Sequence, residues 1–278
     1  MGKQLKIIPL GGLGEIGKNM MALAYDQAIL IIDAGVMFPE NDMLGIDTVI
    51  PDFGYLRDKA SQVVGIVITH GHEDHVGALP YVLREINAPV YATPLTCGLI
   101  RGKLSSHRLP APPTLHTVRA GDTATLGPFE VEFFSVNHSI PDNVGLAITT
   151  PLGLVVHSGD FKFDYTPVHG QPADFATLAR LGARGVLALL SDSTNAESTG
   201  FTPSERSVEP AFDAIFRDAP GRIIVATFAS LISRIQQVVD CAARWNRRVA
   251  VAGRSMVESV QIARELGYLR MPEGVEVD

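Results

Sequence analysis

Residues 69–77 read THGHEDHVG and contain three of the chain's eight histidines, His70, His72 and His75, with Asp74 between the last two. Imidazole nitrogens and carboxylate oxygens are ligands that suit zinc or manganese. The segment directly follows the apolar run VVGIVI and precedes the helical pattern ALPYVLREI. We therefore predict a metal site in a turn at the end of a strand.

Four further candidate side chains follow apolar runs in the same way. They are Asp33 after AILII, His138 after FEVEFFSVN, Asp160 after GLVVHSG and Asp192 after GVLALLS. Because open α/β sheets hold ligands beyond the carboxyl ends of their strands, these groups can converge. Taken singly, a strand-end aspartate more often caps a turn or a helix. Together with the histidine cluster, the set indicates a site for two metal ions.

The elements that position these residues are short apolar runs, and before about residue 190 they predict mostly buried strands. The clearest helical patterns in this part are 78–86 and 93–104. After about residue 203 strands and helices alternate. The predicted helices are SERSVEPAFDAIFRD, SLISRIQQVVDCAARW and SMVESVQIAREL, and the predicted strands are RIIVATF and RVAVAG. This alternation indicates a parallel, doubly wound sheet, with a domain boundary near 195–205.

A glycine-rich stretch, PLGGLGEIGKN at residues 9–19, has the spacing of a dinucleotide-binding fingerprint, and Asp33 follows where a ribose-binding carboxylate is expected. Only eleven residues, KNMMALAYDQA, separate its third glycine from the run ILIID, which is short for a crossover helix. The alternative is a hairpin of MMALAY and AILIID that turns at Asp26. We favour the hairpin and expect no nicotinamide cofactor. The glycines then let the backbone come close to the metal site or to a phosphate of a bound nucleic acid, with Lys18 or Asn19 nearby.

Composition excludes few classes of function. The net charge is -7, which does not by itself indicate nucleic-acid binding. Arginines cluster late in the chain, where they form either a local basic surface or solvated helix faces. Cys97 and Cys241 lie far apart and are expected to be reduced, packed thiols. With no long apolar run and no secretory pattern at the N-terminus, we expect a cytoplasmic protein that does not bind membranes.

The segment THGHEDHVG resembles the H-x-H-x-D-H signature of the metallo-β-lactamase superfamily, and Asp33, His138 and Asp160 match its other N-terminal motifs in order. The strings PLGGLGEIGKN, LIIDAGVMFPE, GDFKFD, SDSTNAE and AGRSM resemble the ribonuclease J family of the β-CASP branch. This resemblance covers essentially the whole chain. It implies an α/β fold, an αββα sandwich at residues 1–200. It also implies an inserted, doubly wound β-CASP domain that begins at 201 and is not completed by residue 278.

The resemblance also implies roles for the candidate residues. His70, His72 and His138 are expected to hold one divalent ion, Asp74 and His75 the second, and Asp160 both, with zinc first and manganese as the alternative. Asp74 is also expected to orient the attacking hydroxide. Asp33 and Asp192 are expected to orient ligands by hydrogen bonds. His157 is either catalytic or a packed strand-end imidazole.

The implied function is RNA processing and decay by a two-metal ribonuclease. The family cleaves endonucleolytically and also from a single-stranded 5′-monophosphate end, leaving a 5′-phosphate and a 3′-hydroxyl. The expected RNA contacts are Ser230, Arg234, Arg254 and Ser255, of which the two serines are otherwise N-caps. A homo-oligomer is also expected. The alternatives are a hydrolase of small thioesters or lactams, a DNA nuclease and a non-catalytic RNA-binding fragment.

Two features depart from the family's pattern. The family's later His-x-Ser-Gly-His segment and its last metal-binding histidine, which would join Asp74 and His75 at the second ion, are not among these residues. The other departure is local. FASLISRIQQ has Leu231 and Ser233 where asparagine and histidine are usual, while Ser230 and Arg234 remain. This departure concerns the RNA-binding groove rather than the metal site.

Overall fold

The computed structural model describes residues 3–277. The chain forms two compact units. The first comprises the residues up to Val136 together with Asp142–Phe161 and Asp174–Ala196, and the second comprises Asn137–Pro141, Lys162–Ala173 and the residues from Glu197 on. The domain boundary at residue 200 stays a prediction. Within residues 3–277, no helix is long and apolar enough to span a bilayer.

Six strands form the first sheet, in their order along the chain. They are β1 (Leu5–Gly11), β2 (Met20–Tyr25), β3 (Ala28–Ile32), β4 (Val63–Val67), β5 (Val90–Ala92) and β6 (Leu115–Thr117). Strands β1 to β3 pair antiparallel, and β3 to β6 pair parallel. Parallel neighbours need crossover connections. Those connections carry α1 (Gly54–Arg57), α2 (Glu73–Val76), α3 (Leu79–Glu85) and α4 (Pro94–Ser105).

Five strands form the second sheet, in the order β11-β10-β9-β8-β7. They are β7 (Thr123–Leu126), β8 (Phe129–Ser135), β9 (Val144–Thr150), β10 (Gly153–His157) and β11 (Val186–Leu190). All neighbours are antiparallel except β10 and β11, which are parallel and joined through α5 (Phe175–Ala183). The predicted strands of this region are all present.

The two sheets pack face to face, because alternate residues of each strand point to opposite sides. Leu23 and Leu30 of the first sheet meet Phe133 and Leu146 of the second in one buried cluster. Side chains on the other face of the first sheet, such as Ile31, pack in a second cluster with α3 and α4. On the outer face of the second sheet, residues of β9 and β10 pack with α5. The resulting order, helices, sheet, sheet, helix, confirms the predicted αββα sandwich.

The glycine-rich stretch leads into a hairpin and not into a helix. Strands β2 and β3 pair antiparallel from Tyr25–Ala28 to Met21–Ile32. Asp26 turns the chain with a φ of 56°, a left-handed value that aspartate tolerates. The dinucleotide-binding alternative is therefore wrong, since no crossover helix follows the glycines.

The second unit contains the three predicted helices but not the two predicted strands. Its helices are α6 (Glu209–Asp218), α7 (Ile232–Arg244) and α8 (Arg254–Glu265). Residues 222–228 lie outside any strand, and in 248–253 only Val249 makes a bridge, to Glu276. A strand is defined by its hydrogen-bonding neighbour, and β propensity cannot supply that neighbour. Among the described residues, only the segment around Glu276 pairs with either run.

Candidate metal centre

The histidine-rich turn lies between β4 and α2 and is fixed by backbone hydrogen bonds to the segment after β3. Ala34 N donates to His75 O at 2.8 Å, and Val36 N donates to Glu73 O at 3.0 Å. Gly35 allows this close approach, because a Cβ at that position would lie 1.5 Å from Asp74 O. The segment after β3 thus packs directly against α2, and α2 carries two of the predicted ligands, Asp74 and His75.

Asp33 and His75 form a buried pair at the centre of the site. Asp33 Oδ2 lies 2.8 Å from His75 Nδ1, and both residues are 2% exposed. The other carboxylate oxygen accepts from Thr69 N at 2.8 Å. With Nδ1 donating to Asp33, His75 presents its Nε2 lone pair, the arrangement by which a carboxylate orients a metal-ligating imidazole.

Thr69 extends this orienting network to a second histidine. Its hydroxyl donates to Asp33 Oδ2 at 2.9 Å and lies 3.0 Å from His70 Nδ1. Since the hydroxyl proton goes to Asp33, its oxygen accepts from His70 Nδ1–H, which leaves His70 Nε2 as a lone-pair donor. That nitrogen lies 3.1 Å from His72 Nδ1. Two ring nitrogens that meet in this way fit a shared cation.

Two carboxylates approach the second ring nitrogen of His75, Nε2. Asp160 Oδ1 lies 3.4 Å and Asp74 Oδ2 lies 3.5 Å from His75 Nε2. Ligand atoms of His70, His75 and Asp160 all lie within 4.8 Å of one another. Asp160 follows β10, and Asn143 fixes its loop by donating from Nδ2 to Asp160 O at 2.6 Å.

The electrostatics of the cluster favour a cation. Burial by itself lowers the pKa of His75, but the Asp33 charge and hydrogen bonds to Asp160, Asp33 and Asp74 outweigh burial and raise that pKa well above its ordinary value. Burial raises the pKa of Asp74, but the hydrogen bond and charge of His75 more than offset this and leave it lowered. A group of carboxylates that stabilises an imidazolium to this extent also stabilises a divalent ion.

The side chains of this cluster are suited to bind a metal ion. Imidazole nitrogens and carboxylate oxygens converge, their distances suit a common centre, and their other atoms are held by second partners such as Asp33 and Thr69. The site is therefore one for divalent metal binding. The assignment of individual ligands stays a prediction.

Asp192 and His157 lie beside the loop that carries Asp160. Asp192 N donates to Ser158 Oγ at 2.9 Å, and Asp192 Oδ1 accepts from Thr194 N at 2.9 Å. His157 Nδ1 accepts from Gly159 N at 3.0 Å, and burial lowers the His157 pKa. Both residues therefore contact this loop, and their catalytic roles stay predictions.

The remaining predicted site residues belong to the second unit. His138 lies in Asn137–Pro141, directly after β8, and its role as a ligand stays a prediction. Arg234 pairs with Glu205 at 2.8 Å, and the exposed Arg254 pairs with Glu258 at 3.2 Å.

The two serines of the second unit do not cap the helices that follow them. The N-cap of α7 is Leu231, one residue beyond Ser230, and it makes no side-chain cap. The N-cap of α8 is Gly253, so Ser255 lies inside that helix. The alternative of serine N-caps is therefore wrong, and binding of RNA by these residues stays a prediction.

The sequence reasoning missed three residues of the site, namely Thr69, Asn143 and Gly35. Thr69 directly precedes the histidine cluster, so its position was a usable signal. Asn143 and Gly35 act through contacts across the fold, which the sequence pattern does not reveal.

Two family profiles match the chain. The metallo-β-lactamase superfamily profile matches residues 13–225, and the profile of the ribonuclease J β-CASP domain matches residues 220–278. A solved structure, a protein of unknown function from Enterococcus faecalis V583, superposes with a TM-score of 0.69 at 15% identity. It covers 99% of this chain and 73% of that protein, and the likeness concerns the fold alone.

Curated relatives are similar over nearly the whole chain. Ribonuclease J 1 of Streptococcus pyogenes serotype M3 is 48% identical over 275 residues, which are 99% of this chain and 49% of the relative. Ribonuclease J2 of Bacillus subtilis is 46% identical over 96% of this chain and 48% of the relative. Ribonuclease J of Helicobacter pylori J99 is 46% identical over 96% and 39%. The chain thus spans less than half the length of these relatives.

With the αββα sandwich and the histidine–aspartate cluster already described, these matches show that the chain belongs to the metallo-β-lactamase superfamily, with residues 220–278 similar to the β-CASP domain of ribonuclease J.

Proposed function

We propose that this protein is a metal-dependent ribonuclease that hydrolyses RNA phosphodiesters in RNA processing and decay. The proposal rests mainly on the surroundings of His75. Asp33 binds its Nδ1, and the carboxylates of Asp74 and Asp160 lie 3.4–3.5 Å from its Nε2. The similarity to proteins named ribonuclease J supports RNA as the substrate.

Two divalent ions are proposed, with zinc as the first choice and manganese as the alternative, because the donor set suits both. His70, His72 and His138 would hold one ion, and Asp74 and His75 the other, with Asp160 shared. The short distances among His70, His75 and Asp160 support the shared role. When bound, such a pair of ions acidifies a water molecule and stabilises charge on the phosphoryl group.

The residues of the chain itself prepare this site. Asp33 fixes the His75 ring directly and the His70 ring through Thr69, so that each presents its Nε2. Asp74 is only partly buried and can accept a hydrogen bond that orients the attacking oxygen. Asp192 and His157 hold the Asp160 loop in place.

The proposed substrate is single-stranded RNA with a 5′-monophosphate end, cleaved both from that end and internally, with a 5′-phosphate and a 3′-hydroxyl as products. Ser230, Arg234, Arg254 and Ser255 are proposed to contact its phosphates. A homo-oligomer in the cytoplasm is proposed as the working form.

The test is RNA cleavage by an Asp74→Ala/His75→Ala double variant. Activity on 5′-monophosphorylated RNA is expected to vanish, and the metal-loaded wild type should cleave. The matched control is Asp42→Ala/His116→Ala, which removes the same two residue types from exposed positions outside the site and should retain activity. Undiminished cleavage by the double variant would refute the proposal. RNA binding without cleavage by the loaded wild type, or hydrolysis of thioesters alone, would favour one of the alternatives.

A further inference from the structure

The glycine-rich loop between β1 and β2, residues 12–19, reaches the metal-binding cluster through one side chain. Asn19 Nδ2 lies 3.3 Å from Asp74 Oδ2 and 3.1 Å from His75 Nε2. The same two atoms, Asp74 Oδ2 and His75 Nε2, lie 3.5 Å from each other. Asn19 thus contacts both members of one proposed ligand pair.

The backbone of Asn19 is fixed to the same elements. Asn19 N donates to Asp74 O at 3.1 Å, and Gly35 N donates to Asn19 O at 2.9 Å. The main chain of Asn19 is therefore held to α2 and to the segment after β3, which places its carboxamide within reach of Asp74.

One glycine of the loop, Gly12, makes room for this carboxamide. Gly12 has a φ of 84°, and a Cβ there would lie 2.5 Å from Asn19 Oδ1. Gly17 has a φ of 100° and lies against Met37, where a Cβ would be 3.1 Å away. Both conformations favour glycine. Of the glycines with the dinucleotide-like spacing, Gly12 thus lies against the Asn19 amide and Gly17 against Met37.

We propose that Asn19 is a positioning residue of the metal centre, which orients the Asp74 carboxylate beside the Nε2 edge of His75. The amide donates to Asp74 Oδ2, so one carboxylate oxygen is fixed while the other stays available. This inference rests on the proposed function, because it assumes that Asp74 and His75 bind metal.

The test compares metal affinity with stability in the Asn19→Ala variant. Competition with a chromophoric chelator gives the dissociation constants for Zn²⁺ and Mn²⁺, and thermal melting of the metal-free protein reports on folding. Loss of a residue that orients ligands typically weakens metal affinity by about 10- to 100-fold, and we expect a loss of that size. The cobalt(II)-substituted protein should also show an altered visible spectrum.

The matched control is Glu15→Ala, which lies in the same loop. Glu15 accepts from Gly12 N and pairs with Lys18, and its removal loosens the loop without touching Asp74 or His75. Its metal affinity should equal that of the wild type. Wild-type affinity in Asn19→Ala, whatever its melting temperature, would overturn the inference and leave the proposed function standing. If the wild type binds neither ion, both fall together.

Discussion

Asp33 Oδ2 lies 2.8 Å from Nδ1 of His75, and this pair connects the end of β3 to the helix that follows β4. The carboxylate is buried, so its charge acts on His75 with little screening by water. The orientation of the proposed ligands therefore depends on a residue that need not touch the ion itself.

Asp33→Asn is expected to weaken metal binding by about 10- to 100-fold, because the amide keeps the shape of the carboxylate but loses its charge. Calorimetric titration with Zn²⁺ measures this. The matched control is Asp26→Asn, the same change in the exposed hairpin turn, where asparagine also accepts the left-handed backbone. Equal affinity in the two variants would contradict the orienting role of Asp33.

Gly35→Ala is expected to lower the free energy of unfolding by about 3 kcal/mol, the upper end for overpacking, because its Cβ would meet Asp74 O at 1.5 Å. Gly182→Ala is the control. Gly182 lies inside α5 with nothing near its Cβ position, so alanine there should add about 0.4–1 kcal/mol. Urea denaturation gives both values. A Gly35→Ala protein as stable as the wild type would mean that α2 can move away from the segment after β3.

Thr69→Val removes a fully buried hydroxyl that donates to Asp33 and accepts from His70. Valine keeps the shape, so the expected loss of about 1–3 kcal/mol in unfolding free energy comes from the unmade hydrogen bonds. Metal affinity should fall as well, because His70 loses its partner. Thr69→Ser retains the hydroxyl and should restore the affinity. Metal affinity as low in Thr69→Ser as in Thr69→Val would contradict the role of the hydroxyl.

Glu205 makes the stability of the second unit depend on pH. Burial raises the pKa of this carboxyl, but hydrogen bonds from Lys162 and Arg234 outweigh burial and leave the pKa below its ordinary value. The stabilisation is present above the ordinary glutamate pKa and is lost as the pH falls through the lowered one. Glu205→Gln should therefore be less stable than the wild type at pH 7, and the difference should shrink in acid. Urea denaturation at several pH values measures this, and a difference that grows in acid would contradict it.

Much of the sandwich could be predicted from the sequence. Apolar runs of strand length, bounded by turn residues, predict strands there. The runs AILII, MMALAY, VVGIVI, FEVEFFSVN, GLVVHSG and GVLALLS each contain a strand. The runs at 222–228 and 248–253 are equally apolar and β-branched, yet neither forms a strand. Composition reports that a segment is suited to pairing, and only the tertiary structure supplies the partner.

The sequence by itself determined the chemistry of the site, because residue type fixes which atoms can bind a metal. Three histidines and an aspartate in one turn have few other uses. It could not determine the orientation of those rings. Thr69, Gly35 and Asn19 act on them through hydrogen bonds and close approaches between segments that the fold brings together. Such contacts form only when segments far apart in the chain are placed to within a few tenths of an ångström, and only the tertiary structure decides that placement.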